Sequence, residues 1–346
     1  MSFRKLLLVL PLVFFLAYLQ PEPARAATER DITEILLDGH RVINVVDDFL
    51  NFWDQAKGKS LRRRKKLWML LVENKHREYF ERAVYRNADK ERRRLLLDHF
   101  LESVPERIDH IREFNKVISN THTNPIIEAI VYFRWRFPEY RHQQEIYWGL
   151  SFSQFDGSVR PVGNDKGIPD TLCIGVDVLA DYRPEQVRIT MLHEFFHLYH
   201  FAYLFQSPEE IDLRLPHMPL MIEGMAVAAA EEIYPFQPLS LYLNFSNEEL
   251  VGQQKSLTDS SRHYLRLIRY DALPSDFVSW FTEQTTEEAP PRGGYMLGYE
   301  ITKRLLVAHP LWEMARMSPA QLREHAEEQL AAMADENVLI ISGGRD

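Results

Sequence analysis

The sequence predicts an α+β fold that is mostly helical and carries a small mixed sheet. Helical periodicity covers most of the 346 residues and is clearest in the uninterrupted stretch that begins at Pro184. Apolar runs bounded by turn residues are concentrated between 145 and 179, which limits the sheet to a few strands. A chain of this length can bury a substantial hydrophobic core.

The first 26 residues have the layout of a signal peptide. Arg4 and Lys5 precede an apolar stretch from 6 to 19, and Ala24-Arg25-Ala26 is a small-x-small cleavage motif. The apolar stretch is too short for an ordinary membrane span, and no later run reaches 18 apolar residues. We therefore expect export to the periplasm or the medium, with an uncleaved anchor as the alternative.

Three segments follow from this pattern: a signal peptide at 1–26, a helical N-terminal region at 27–140 and a catalytic region at 141–346. The N-terminal region contains no chemical motif, and its basic runs are interleaved with acids, as on a solvated helix face. Without residues 1–26 the net charge is −11, which argues against nucleic acid as a main partner. The oligomeric state has no sequence signal.

The predicted strands lie directly before the long helix. Segments 145–155 and 158–162 flank Asp156-Gly157, a dipeptide typical of a β-hairpin. Segment 164–167 is a further polar turn, and 171–179 is an apolar strand. The only cysteine, Cys173, lies in that strand, so it is expected in the core and no intrachain disulfide can form.

A metal motif lies within the long helix. His193, Glu194 and His197 form an HExxH sequence, and a spacing of four puts both imidazoles on one helix face about 6 Å apart along the axis. Both can therefore bind one zinc ion, and Glu194 beside them is a candidate general base. His200 is two turns from His193, about 10.5 Å along the axis, which is too far for a shared ion.

A third ligand is expected on a second helix. Segment 221–232 is rich in alanine and begins after the loop 215–219, and its small residues would allow close approach to another helix. Glu223, 26 residues after His197, is the candidate ligand, and His217 in the preceding loop is the alternative.

These motifs resemble the gluzincin peptidases, in which HExxH is followed by a glutamate on a second helix. The Glu-Gly-x-Ala sequence at 223–226 is similar to the corresponding element of the aminopeptidase N group. With the element Gly-Tyr-Met-Leu-Gly-Tyr-Glu at 294–300, the pattern resembles a bacterial family of predicted zinc-dependent proteases over about 145–310. The chain departs from these relatives by lacking Gly-Ala-Met-Glu-Asn and by having Val227 where thermolysin-like enzymes have an acid.

The resemblance implies a zincin-like metallopeptidase fold with one Zn²⁺ per chain, a peptide or protein as substrate, and a strand near 171–179 that borders the cleft and pairs with substrate. It also implies a downstream tyrosine that donates to the oxyanion. Tyr295 and Tyr299 are four residues apart and can share a helix face; Tyr295 is preferred because Gly293 and Gly294 next to it suggest mobility.

We therefore expect an exported zinc-dependent peptidase. Two alternatives stay open: a catalytically silent zincin-fold binding protein, and a zinc-dependent esterase or amidase that acts on cell-envelope substrates. Glu194 argues against the silent protein, because a protein that only holds metal does not need a base.

Cleavage after Ala26 is the first prediction. Protein recovered from the producing cell should have an intact mass that begins at Ala27, because the residues before it form the cleavage motif. A membrane-retained chain that still begins at Met1 would support the anchor instead.

Overall fold

The computed structural model describes residues 34–37, 40–120, 124–141, 145–164, 167–206, 211–286 and 289–335. It confirms a mostly helical α+β fold with a small mixed sheet. The strands are β1 (Glu34–Leu37), β2 (His40–Asn44), β3 (Ile146–Gly149), β4 (Gly157–Arg160) and β5 (Thr171–Gly175). The α-helices are α1 (Val45–Ala56), α2 (Leu61–Trp68), α3 (Arg77–Tyr79), α4 (Lys90–Ser103), α5 (Ile108–Ser119), α6 (Pro125–Arg136), α7 (Val176–Leu179), α8 (Pro184–Leu204), α9 (His217–Ile233), α10 (Leu239–Tyr242), α11 (Asn247–Arg269), α12 (Pro274–Phe277), α13 (Gly293–Leu305), α14 (Leu311–Met314) and α15 (Pro319–Asp335).

The signal-peptide prediction lies outside the described residues. Within the described ranges, no helix combines the length and the apolar character that crossing a membrane requires. In the segment expected to be helical up to 140, the first described residues form β1 and β2, which are too short to interrupt a helical sequence pattern visibly. Most of the later described residues of that segment are helical, with short π-helical turns at Met69–Glu73 and Phe80–Tyr85.

The five strands form one sheet in the order β1-β2-β3-β5-β4. The hairpin β1–β2 is antiparallel, β2 runs parallel to β3, β3 runs parallel to β5, and β4 is antiparallel to β5. Strand β5 has a neighbour on both sides, and all five of its residues are buried, including Cys173 as expected.

The predicted β3–β4 hairpin around Asp156-Gly157 is wrong, because β5 lies between these two strands. After β3 the chain bends through Phe152 and Ser153, both with positive φ, and the buried carboxylate of Asp177 accepts hydrogen bonds from the backbone N–H groups of Ser151 (2.6 Å) and Ser153 (2.8 Å). The antiparallel pair forms instead between β4 and β5. The polar turn predicted at 164–167 lies partly outside the described residues.

The chain folds as two units, Met1–Gln206 with Ala229–Phe236, and Ser207–Ala228 with Gln237–Asp346. In the first unit, α8 packs on β4 and β5 on one side and on α6 on another. An aromatic cluster surrounds the buried Trp68 of α2. Its ring contacts those of Phe52 (5.5 Å between centroids), Phe80 (5.3 Å) and Phe152 (5.6 Å). Edge-to-face and tilted contacts of this kind add to the free energy gained from burial.

The second unit contains a helix pair in backbone contact. A Cβ atom at Gly224 of α9 would overlap the backbone of Gly298 of α13, and a Cβ atom at Gly298 would overlap the carbonyl oxygen of Leu220. Thr302 also donates a hydrogen bond to the carbonyl oxygen of Gly298 (2.8 Å). The expectation that small residues let the second helix approach another closely is therefore confirmed, and α13 is the helix it approaches.

Alanine at Gly298 is predicted to destabilise the protein, because its methyl group would have to displace backbone. Overpacking of this kind typically costs about 1–3 kcal/mol of unfolding free energy. Gly252→Ala in α11 is the matched control, since nothing lies within 4 Å of a Cβ atom there and alanine favours the helix. Urea unfolding followed by circular dichroism measures both variants. Equal midpoints for the two would contradict the close packing.

Candidate metal centre

Helix α8 carries the HExxH residues and begins where the sequence indicates. Pro184 occupies its first turn, where a missing N–H costs nothing, and the side chain of Gln186 accepts a hydrogen bond from the backbone N–H of Arg183 (3.1 Å). The helix continues for 21 residues without a break. Every residue from 194 to 201 is buried, so the middle of α8 is enclosed on all sides.

The two histidines of the motif face each other on this helix. Their rings are perpendicular, with centroids 4.6 Å apart, and the two Nε2 atoms are 2.9 Å apart. The ring of His197 also stacks on Phe201, at 5.6 Å and an interplanar angle of 12°. The stacking holds His197 in a rotamer that directs Nε2 towards His193.

Glu223 of α9 joins this pair. One ring nitrogen of His193, one of His197 and one carboxylate oxygen of Glu223 all lie within 4.8 Å of one another. His197 and Glu223 are buried, and His193 is partly exposed. The structure thus brings together the three residues that the sequence analysis selected as metal ligands.

The donor set fits zinc. Two atoms that bind the same zinc at about 2.0–2.1 Å are at most about 4.2 Å apart, and the Nε2 pair satisfies this limit. Two imidazoles and a carboxylate are the ligands of zinc hydrolases that leave one position for water and substrate.

Glu194 follows His193 on α8, and its side chain is only 4% exposed. It lies directly against the first residue of β4, because a Cβ atom at Gly157 would be 2.6 Å from Cγ of Glu194 and 3.4 Å from its Oε1. From the sequence, Gly157 was expected only in a turn. Nothing in a single sequence indicates which side chain a glycine will meet in space.

His200 is not in the group of possible ligands, as the helix geometry predicted. It is fully buried, and its ring lies among those of Phe196 and Phe201, with both centroid distances 6.1 Å. Burial, followed by the nearby His197, lowers its pKa to about 3, so the ring is neutral at pH 7.

His217, the alternative third ligand, is the first residue of α9 and also lies outside the group of three. Its side chain is buried, and burial, with the charge of Arg323 as the second cause, lowers its pKa to about 4. The geometry therefore favours Glu223 over His217, and metal analysis of variants is the test.

Tyr295 and Tyr299 both lie in α13, as expected, and both are buried. The ring of Tyr295 contacts Phe281 edge-on at 5.9 Å, and the guanidinium of Arg292 lies 4.5 Å from its centroid. Gly293 and Gly294 begin the helix, and a Cβ atom at Gly294 would overlap the ring of Phe281. Both glycines therefore lie in close packing, and the preference for Tyr295, like its catalytic role, stays a prediction.

The edge of the sheet beside α8 is β4. Substrate was expected to pair with the strand near 171–179, but β5 is paired on both sides, with β3 and with β4. Main-chain pairing with a further strand needs a free edge, which β5 lacks. Among the described strands, β4 ends the sheet on this side.

Comparison with known proteins supports the metal motif. Residues 160–324, just under half of the chain, match the model of a family described as Predicted Zn-dependent protease (DUF2268). No curated protein and no solved structure matches the chain. Over the segment that carries His193, Glu194, His197 and Glu223, the chain therefore resembles this family of predicted zinc-dependent proteases.

Proposed function

We propose that the protein is an exported zinc-dependent peptidase that hydrolyses peptide bonds with an activated water molecule. The observation that carries this proposal is the convergence of two imidazoles of α8 and one carboxylate of α9 within 4.8 Å of one another. The buried Glu194 follows the first of these histidines on α8. The family match over 160–324 supports a zinc-dependent protease in general terms.

His193, His197 and Glu223 hold the single zinc ion in this proposal. When bound, zinc is a Lewis acid that polarises the scissile carbonyl and lowers the pKa of the attacking water. The residues themselves fix its position: His197 is oriented by Phe201, and Glu223 is carried by a helix in backbone contact with α13.

Glu194 is the proposed general base. Its carboxylate takes a proton from the attacking water and then delivers that proton to the nitrogen of the leaving amine.

A tyrosine hydroxyl is the proposed donor to the oxyanion that forms on the carbonyl oxygen. A phenol can donate to developing negative charge while remaining neutral itself. Tyr295 is the first candidate and Tyr299 the second; both lie in α13, the helix against which α9 packs at Gly224.

The substrate is proposed to be an extended peptide whose main chain pairs with the outer edge of β4. This strand begins at Gly157, against Glu194, so a peptide along it would pass the general base. Export, proposed from residues 1–26, would make peptides or proteins outside the cytoplasm the natural substrates.

Zinc content is the first test of the centre. The mature protein, purified without chelators, should contain close to one zinc per chain by elemental analysis. His193→Ala, His197→Ala and Glu223→Ala should each lose most of it, because each removes one of the three donors.

His110→Ala is the control for this measurement, since that ring is exposed and pairs with Asp181 in a different part of the first unit. It should keep its zinc. If His217→Ala loses zinc and Glu223→Ala keeps it, the assignment of the third ligand is wrong. Wild-type protein without any first-row metal would contradict the centre as a whole.

Glu194→Gln should reduce peptide hydrolysis by about 10²–10⁴-fold, because glutamine keeps the size of glutamate but cannot take a proton near neutral pH. Zinc content and the midpoint of urea unfolding should match the wild type, which separates loss of the base from loss of a ligand.

Tyr295→Phe should reduce the rate by about 10²–10³-fold if Tyr295 donates to the oxyanion. A broad fluorogenic peptide library with zinc-loaded protein provides the assay.

The outcomes also distinguish the alternatives. Glu194→Gln protein that cleaves peptides at the wild-type rate would overturn the mechanism. A wild type that binds zinc and cleaves no peptide would favour a binding protein. Hydrolysis of ester or amide substrates alone would favour the esterase or amidase that acts on the cell envelope.

A further inference from the structure

Gly157 is the point at which the sheet meets the side chain of Glu194. A Cβ atom there would lie 2.6 Å from Cγ, 3.2 Å from Cδ and 3.4 Å from Oε1 of Glu194. The nearest of these distances is shorter than two carbon atoms can approach without a shift. The crowded atom is the middle of the Glu194 side chain, so relief would require the carboxylate to move.

The backbone at this position does not itself require glycine. Gly157 is not among the residues with positive φ, and it is an ordinary strand residue that pairs with Ile174 of β5. By contrast, Gly163 and Gly167 in the following turn do have positive φ. Glycine is therefore required at position 157 because a side chain there would not fit beside Glu194.

The start of β4 is anchored, so it cannot easily withdraw from α8. The carboxylate of Asp156 accepts a hydrogen bond from the backbone N–H of Gly157 (2.8 Å) and another from the hydroxyl of Tyr182 (3.1 Å). The carbonyl oxygen of Asp156 accepts a hydrogen bond from the N–H of Gly175 at the end of β5 (2.7 Å). Tyr182 lies two residues before Pro184, where α8 begins. The Asp156 carboxylate therefore connects β4 to the beginning of the helix that carries Glu194.

We infer that Gly157 is a positioning residue: its missing side chain leaves the space that fixes the Glu194 carboxylate, and any larger residue displaces that carboxylate. This inference rests on the proposed function, in which Glu194 is the general base. Gly157 itself touches no reacting atom in this account. It acts through the side chain that it confines.

The contact can be tested without activity by a double-mutant cycle in the mature protein. Gly157→Ala should lower the urea unfolding midpoint in the wild-type background. The same change should have little effect in a Glu194→Ala background, where Cγ is absent and the methyl group has room. An equal loss in both backgrounds, or no loss in either, would overturn the contact.

Kinetics then test the positioning role. Gly157→Ala should keep its zinc and a KM close to that of the wild type, while kcat falls on the order of 10²-fold, as expected when a catalytic group is misplaced by about 1 Å. Gly252→Ala is the matched control and should keep wild-type kcat. A merely structural role would lower the amount of folded enzyme and leave kcat per zinc unchanged.

The two failures are distinguishable. A wild-type kcat for Gly157→Ala, in an enzyme that is otherwise active, overturns the positioning role and leaves the peptidase proposal intact. An inactive wild type overturns the proposed function and, with it, the catalytic purpose of the contact; the unfolding midpoints would then decide on the contact alone.

Discussion

The candidate centre depends on how α8 is held. The regular rise and turn of an α-helix set the spacing of His193 and His197, but they do not set which part of the protein the two side chains face. That direction is fixed because the residues from 194 to 201 are all buried, so a rotation of α8 would move apolar side chains out of their contacts on every face. The stacked ring of Phe201 and the adjacent β4 then fix the rotamers of His197 and Glu194.

Burial of this helix also has an electrostatic consequence. Polar side chains in its middle must be neutral, hydrogen-bonded or directed at a ligand, because an isolated charge is costly in a low-dielectric interior. His200 follows the first course, since burial lowers its pKa to about 3. In the proposed function the buried His197 is directed at a ligand, and so is the buried Glu223 of α9, where a bound cation would offset the cost of burying the carboxylate.

Sequence alone predicted what depends on local spacing. The beginning of α8, the one-turn separation of the histidines and the presence of a helix that carries Glu223 are all set by short-range patterns. The order of strands was not predictable in this way. Asp156-Gly157 is a strong local hairpin signal, yet Asp177 holds the preceding loop in another path, and an interaction across 24 to 26 residues is invisible to a local pattern. Strand β2 was not predicted, because its five residues are too few to show a clear alternation of apolar and polar side chains.

Glycine serves the centre in two physically different ways, and neither is the flexibility that the sequence suggested for Gly293 and Gly294. At Gly224 and Gly298 two helix backbones touch, so a methyl group would meet atoms that cannot move without moving a helix. At Gly157 the opposing atoms belong to a side chain, which can change its rotamer. The first contact therefore controls the placement of a whole helix, whereas the second controls the position of one carboxylate. A methyl group at Gly157 could thus leave the fold and the metal ligands in place and still misplace the group that moves the proton.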